Sequence, residues 1–160
     1  MMNIDIICVG KLKEDYLRMA CAEYEKRLGA FCKLRITELT PARLPDNPNE
    51  SQISAALEDE GTRILSKIGA NTAVFTMCIE GKMLSSEALS SEIEKRAVSG
   101  FANLAFIIGG SHGLSPAVKA KSSFRLSMSP MTFPHQLARV MLLEQIYRAF
   151  MISSGTKYHK

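Results

Sequence analysis

The order of apolar and polar positions predicts a chain in which short strands alternate with longer helices. Five apolar runs have the length of strands. The first, 4–9, ends at Gly10-Lys11. The second, 33–40, places Leu34, Ile36 and Leu39 between polar residues and reads as a strand near a sheet edge. The third, 72–79, is followed by Glu80-Gly81-Lys82. The fourth, 104–108, shows no alternation, as expected for a strand covered on both faces of an α/β sheet. The fifth, 124–127, is short. Helical spacing fills the gaps between them. Residues 14–28 carry apolar positions at Tyr16/Leu17, Ala20/Cys21, Tyr24 and Leu28. A helix capped by Ser51 presents Ile53, Leu57, Ile64/Leu65 and Ile68, with Gly61 a weak point costing about 1 kcal/mol relative to alanine. A third helix, capped by Ser85 or Ser86, carries Leu89, Ile93 and Ala97. Ser115-Pro116 is a helix start, with serine as N-cap and proline at the first helical position. The proline-rich stretch 41–49 reads as a surface loop.

The last helix, about 134–152, breaks the amphipathic pattern. It is apolar nearly all round, so it lies central in the core or forms an oligomer interface. In a domain of this size the interface is the favoured reading. Strands alternating with helices give an α/β fold with a mostly parallel sheet flanked by helices, here a single domain over 1–160. Nothing in the sequence suggests a repeat or a linker.

The fourth strand runs into Gly109-Gly110-Ser111-His112-Gly113-Leu114. In open α/β sheets ligands bind beyond the C-terminal ends of strands, so this turn is the first candidate for a site. A tight turn without a ligand is the equal alternative. The glycines do not form G-x-G-x-x-G, no P-loop pattern occurs, and Ser111-His112 lacks the surroundings of a nucleophile elbow. The ends of the third, fourth and fifth strands become more informative together. If those strands are parallel neighbours, 77–81, Gly109-Gly110 and 128–133 meet at one sheet edge. They would enclose a pocket lined by Met77, Leu114, Met128, Met131 and Phe133, suited to an adenine-like ring with an apolar thioether end. Methionine as plain core filler is the alternative for each position singly.

Composition narrows the setting. Twenty Lys and Arg against 16 Asp and Glu give a net charge of +4, compatible with an anionic partner but shared by many domains. Four cysteines form no C-x-x-C pair and no zinc-ligand spacing, so they read as reduced structural thiols of a cytoplasmic protein, and no metal is expected. The chain shows no signal peptide and no apolar run of membrane-spanning length. On the last helix Glu144 and Arg148 are spaced to pair. Arg139 has no carboxylate at that spacing, so its partner lies elsewhere, in another subunit or a phosphate. The tail Lys157-Tyr158-His159-Lys160 is either a frayed terminus or a nucleotide-binding lip of stacking ring and positive charge.

The segments Ile107 to Leu114, Met131-Thr132-Phe133-Pro134-His135, Arg139-Val140, Glu144 to Ala149 and Tyr158-His159-Lys160, with Val9 to Lys13 and Glu23 to Leu28, resemble the SPOUT-class RNA methyltransferases. The likeness is to their small 23S rRNA pseudouridine N3-methyltransferases and extends over the whole chain. The resemblance implies a C-terminal trefoil knot and a homodimer with its interface on the last helix. It implies S-adenosylmethionine (SAM) as methyl donor, and a substrate pseudouridine in a stem-loop of 23S rRNA, on the assembled 70S ribosome. Matching positions place donor contacts at Met77, Gly109, Met128, Ser129, Pro130, Met131, Thr132 and Phe133. The candidates for catalysis are His159 and Tyr158 of the tail, with His135 and Arg139. Of these, His159 is expected as base or orienter and Arg139 as a phosphate binder. A ribosome-binding factor of the same fold without catalysis is the competing reading, and a nucleotide-binding regulator unrelated to RNA is a third.

Overall fold

The computed structural model describes residues 1–160. Five strands form one sheet: β1 (Met2–Val9), β2 (Cys32–Leu39), β3 (Thr72–Met83), β4 (Asn103–Ile108) and β5 (Phe124–Ser127), in the spatial order β2-β1-β4-β3-β5. Every pairing is parallel. The expected α/β architecture is therefore present, with β2 on an edge. A parallel return needs a crossover, and the helices supply it. These are α1 (Asp15–Leu28), α2 (Glu50–Lys67), α3 (Ser86–Val98) and α4 (Pro116–Ala120), while α5 (His135–Ser153) follows the last strand.

The absence of alternation in β4 follows from burial on two faces. Leu104, Phe106 and Ile108 join the larger core with α1, α3 and α5, while Ala105 and Ile107 join a smaller core with α2 and α4. Phe106 pairs in register with Ile6 and Phe75, and the Phe75 and Phe106 rings stack with centroids 4.8 Å apart.

Helix α5 packs against both α1 and α3. Leu142, Leu143, Ile146 and Ala149 are buried in the larger core, while Tyr147 and Phe150 pack against Phe31 near the end of α1. Part of its all-round apolarity thus serves its packing against α1 and α3 within the helix layer. Leu137 is the only large apolar side chain of α5 left exposed.

Several element ends differ from expectation for local reasons. Asn49, not Ser51, caps α2: its side chain accepts from the Gln52 N–H at 2.8 Å, and the Gln52 side chain accepts from the Asn49 N–H at 2.9 Å. That reciprocal pair satisfies two orphan donors, which a serine inside the first turn does not do. Pro134 is the N-cap residue of α5, so that helix begins one residue later than expected, at His135. Ser85 and Ser115 cap α3 and α4 as expected.

Strand β3 does not stop before Glu80-Gly81. It runs on to Met83, and its register against β5 shifts so that Leu126 pairs with both Met77 and Lys82. The residues between them bulge out of the ladder. At Gly81 a Cβ would sit 2.7 Å from the Arg125 carbonyl oxygen, so only glycine lets the strand rejoin β5.

Gly61 is likewise a packing requirement. A Cβ there would lie 2.4 Å from Ser115 Oγ, where α2 passes the start of α4. An alanine in a helix ordinarily gains about 1 kcal/mol over glycine. Here the expected result of Gly61→Ala is a loss of about 1–3 kcal/mol from overpacking. Thermal denaturation reads it, and a raised midpoint would contradict this packing.

Candidate cofactor cleft and tail cluster

The C-terminal ends of β3, β4 and β5 open onto one cleft of about 720 Å³. Three chain segments build it. The β3 bulge contributes Met77, Cys78, Ile79 and Glu80. The turn after β4 contributes Ile108 to Leu114. The segment after β5 contributes Ser127, Met128, Ser129, Met131, Thr132, Phe133 and Pro134. The volume is that of a small-molecule site. Its deeper wall is apolar, with Ile108, Leu114 and Leu126 each buried. The structure therefore brings together Met77, Gly109, Met128, Ser129, Met131, Thr132 and Phe133. Pro130 is the one member of the expected set that does not line the cleft.

The turn after β4 is tight. The Gly113 N–H donates to the Gly110 carbonyl at 3.1 Å, and a Cβ on Gly109 would lie 2.4 Å from the Gly113 carbonyl oxygen. The turn and ligand-wall readings thus hold together: the turn demands glycine at 109, and the same loop forms one side of the cleft. His112 is an exposed residue of that turn.

His135 and Ala138, at the start of α5, close the remaining side. Burial pushes the His135 imidazole below its ordinary pKa of 6.5, and the neighbouring charges of Arg139 and Lys13 push it the same way. The ring is therefore held neutral near pH 7. Its Nε2 lies 3.2 Å from where a Cβ on Gly10 would be, and Gly10 has a φ of +103°, open to glycine alone at low cost.

Arg139 does not face the cleft. Its guanidinium donates to Glu38 Oε2 at 2.7 Å and to the Gly10 carbonyl at 3.2 Å, with its side chain 4% exposed. The expected partner in another subunit or an RNA phosphate is thus corrected. The partner is a carboxylate on β2, and the ion pair ties α5, the end of β1 and the edge strand together. Cys8 lies beside this group, and burial pushes its thiol up to about 11. All four cysteines are buried and free, in agreement with structural thiols.

The tail folds back on α5 and α3 rather than fraying. Tyr158 donates its hydroxyl proton to Glu144 Oε1 at 3.1 Å and packs edge-on against Tyr147 at 5.0 Å. Burial, then the Glu144 carboxylate, raises the Tyr158 pKa. His159 Nδ1 lies 3.2 Å from Arg148 Nη1, and its Nε2 lies 2.7 Å from Glu87 Oε1. Arginine only donates, so Nδ1 accepts and Nε2 carries the proton given to Glu87. The expected Glu144–Arg148 pair forms at 2.7 Å and is the hub of this cluster. Neither Tyr158 nor His159 lines the cleft. Glu144 lines a second, smaller cavity of about 420 Å³, which shares Leu126, Ser127 and Met128 with the cleft. Sequence reasoning missed Lys119 on the cleft wall and Glu38 and Glu87 in the supporting pairs. Glu80 was visible only as a residue following a strand.

An all-parallel α/β sheet with a small-molecule cleft at its C-terminal strand ends defines a ligand-binding enzyme scaffold of the open-sheet class. Residues 2–159 match the family described as "Predicted SPOUT methyltransferase", and the chain belongs to that family. It is 56% identical over 159 residues to the "Ribosomal RNA large subunit methyltransferase H" of Clostridium botulinum (strain Alaska E43 / Type E3), covering 99% of this chain and 100% of that protein. The protein of the same name from Streptococcus thermophilus (strain ATCC BAA-491 / LMD-9) is 50% identical, with the same coverage of both chains. Among solved structures, a probable methylase family protein from Haemophilus influenzae Rd KW20 aligns with a TM-score of 0.53 over 98% of this chain and 68% of that one. At 13% identity this likeness bears on the fold alone. No helix is long and apolar enough to cross a membrane.

Two outcomes test these supporting groups. Arg139→Met removes both hydrogen bonds of the buried guanidinium and should cost about 2–3 kcal/mol in denaturant unfolding. Glu38→Gln keeps an acceptor oxygen for the guanidinium but removes its counter-charge, and should also cost about 1–3 kcal/mol. An Arg139→Met protein as stable as the parent would contradict the buried pair. The second outcome concerns pH. Because the folded His135 pKa lies below the unfolded value of 6.5, the unfolded chain takes up the proton first. Its neutral form is fully compatible with the fold above that value, and stability falls as pH drops below it. The thermal midpoint of a His135→Asn protein should therefore fall less steeply than the parent's between about pH 7 and pH 5. Equal slopes would refute the assignment.

Proposed function

We propose that residues 1–160 form a single SAM-dependent methyltransferase domain acting on N3 of a pseudouridine in a 23S rRNA stem-loop, on the assembled 70S ribosome. We take it to be a cytoplasmic homodimer with its C-terminal segment threaded as a trefoil knot. The observation that carries the reading is the cleft built by three strand-end segments, in a chain of the SPOUT methyltransferase family. The name shared by its relatives, which refers to large-subunit ribosomal RNA, supports the choice of substrate.

The residues fit the donor. The deep apolar wall suits a purine, and methionine side chains at 77, 128 and 131 give a soft lining for the sulfur end. When bound, SAM supplies a methyl group already activated by its sulfonium. The protein's task is then positioning, with the nucleophile held in line, and removal of the N3 proton. Gly109 and Met128 to Phe133 would hold the donor largely through backbone groups. Arg139, tied to Glu38 and the Gly10 carbonyl, would act as a positioning residue that fixes the start of α5 beside the cleft.

His159 and Tyr158 remain the candidates for handling the N3 proton, with neutral His135 at the cleft as a third. As docked, Tyr158 is a proton donor to Glu144, and the free lone pair of His159 is taken by Arg148. Either residue must leave these partners to reach a substrate. Because the tail does not line its own cleft, it would serve the cleft of the second copy in the homodimer. Leu137, Tyr16 and Met19 are large apolar side chains left exposed on α5 and the adjoining α1, and they offer surface for that copy.

Tritium transfer from SAM to purified 70S ribosomes tests the reading. Transfer to ribosomes and little to naked RNA fragments is expected. Deleting Lys157–Lys160 should reduce transfer by about a hundredfold or more, the scale of a lost acid–base group. Calorimetric SAM binding should stay within a few-fold. Ribosome binding without any transfer would leave a non-catalytic ribosome factor, and full activity after the deletion would remove the tail from the chemistry.

A further inference from the structure

We propose that Glu80 and Lys119 form a charge clamp for the zwitterionic amino-acid end of the methyl donor, so that the cleft selects the complete donor over fragments lacking that end. The inference rests on the donor reading above. Glu80 is the only carboxylate on the cleft wall and Lys119 the only ammonium. They approach from opposite sides, Glu80 on the β3 bulge and Lys119 on α4, and form an ion pair with each other. The Lys119 hydrogen bond holds the Glu80 carboxyl below its ordinary pKa.

The backbone that carries both residues is held in place. Glu80 stands on the bulge that leaves the β5 ladder after Met77 and rejoins it at Lys82, pinned by Gly81 against the Arg125 carbonyl. Helix α4 is fixed by the Ser115 cap and by the contact of that serine with Gly61. The Lys119 carbonyl also accepts from Arg125 Nη2 at 3.2 Å. The rest of the cleft is apolar or uncharged apart from its histidines, so a ligand carrying both an α-ammonium and an α-carboxylate finds matching charges only here.

The pair is partly exposed, with side-chain accessibilities of 29% for Lys119 and 54% for Glu80. Pairs of this kind contribute little to stability, so exchanging one partner for the ligand's opposite charge costs little. The clamp would turn the carboxylate toward Lys119 and the ammonium toward Glu80, and would fix the direction in which the donor lies.

Calorimetry on the full chain tests this with four ligands: SAM, S-adenosylhomocysteine, decarboxylated SAM and 5′-methylthioadenosine. Lys119→Ala and Glu80→Gln alter partly exposed side chains, and matched circular dichroism and thermal midpoints will show that both variants fold. Each should weaken SAM and S-adenosylhomocysteine by about tenfold and leave 5′-methylthioadenosine within about twofold. Lys119→Ala should also leave decarboxylated SAM within about twofold, because the carboxylate it serves is already gone. Equal losses for SAM and 5′-methylthioadenosine would overturn the clamp in favour of a ribose or purine contact. A loss confined to SAM, with S-adenosylhomocysteine unaffected, would overturn it in favour of a sulfonium contact. Unchanged SAM affinity in both variants would also overturn it. Failure of the parent protein to bind any of the four would refute the donor reading, and the clamp with it.

Discussion

A parallel strand can return to its sheet only by crossing one of its faces, so five parallel strands deliver all their C-terminal ends to one edge. Everything functional about this chain follows from that constraint. Crossover helices must cover both faces, which makes β4 apolar without alternation, and α5, which follows the last strand, joins the layer of α1 and α3. Backbone leaving β3, β4 and β5 on the same edge must turn there. The three turns close on a cavity rather than pack solid, because glycines at 81 and 109 allow main chain to approach main chain. The cleft is thus a property of the sheet edge, and its side chains mainly supply lining.

The edge needs bracing on the side where α5 begins, since that helix starts at the uncapped Pro134 directly against the cleft. Arg139 supplies the brace. A guanidinium buried this deeply is costly unless paired, and it meets both Glu38 and the Gly10 carbonyl. The same contact sets the surroundings of His135, whose depressed pKa reflects burial first and the nearby positive charge second. At the far end of α5, the cluster of Glu144, Arg148, Tyr158, His159 and Glu87 holds the tail in a defined place, so that the groups assigned to proton handling start from specific partners.

The fold was largely legible because apolar periodicity reports burial, and burial here is set by strand and helix faces. The strand run at 104–108 and the capped start at Ser115-Pro116 could be read directly. The three-segment cleft was legible too, since it follows from parallel order and glycine-bearing strand ends. What escaped was pairing over long sequence distance. Arg139 and Glu38 are 101 residues apart, and His159 and Glu87 are 72 apart, so no local spacing announces them. The Glu144–Arg148 pair, four apart, was readable for the opposite reason. The β3 bulge was mistaken for a strand end because a polar, glycine-containing stretch looks the same whether a strand stops or loops out and rejoins. Asn49 and Gln52 stand at the three-residue spacing of a capping box, so this cap is legible in the sequence although Ser51 is the more obvious candidate.

The central claim is that a methyl donor is held at this sheet edge, largely by backbone of the segments after β3, β4 and β5. Backbone amide chemical shifts, followed by nuclear magnetic resonance as SAM is added, test it most directly. The account predicts that the largest saturable changes fall on Met77 to Glu80, Gly109 to Leu114, Met128, Ser129 and Met131 to Phe133. No saturable change, or changes centred elsewhere on the chain, would contradict it.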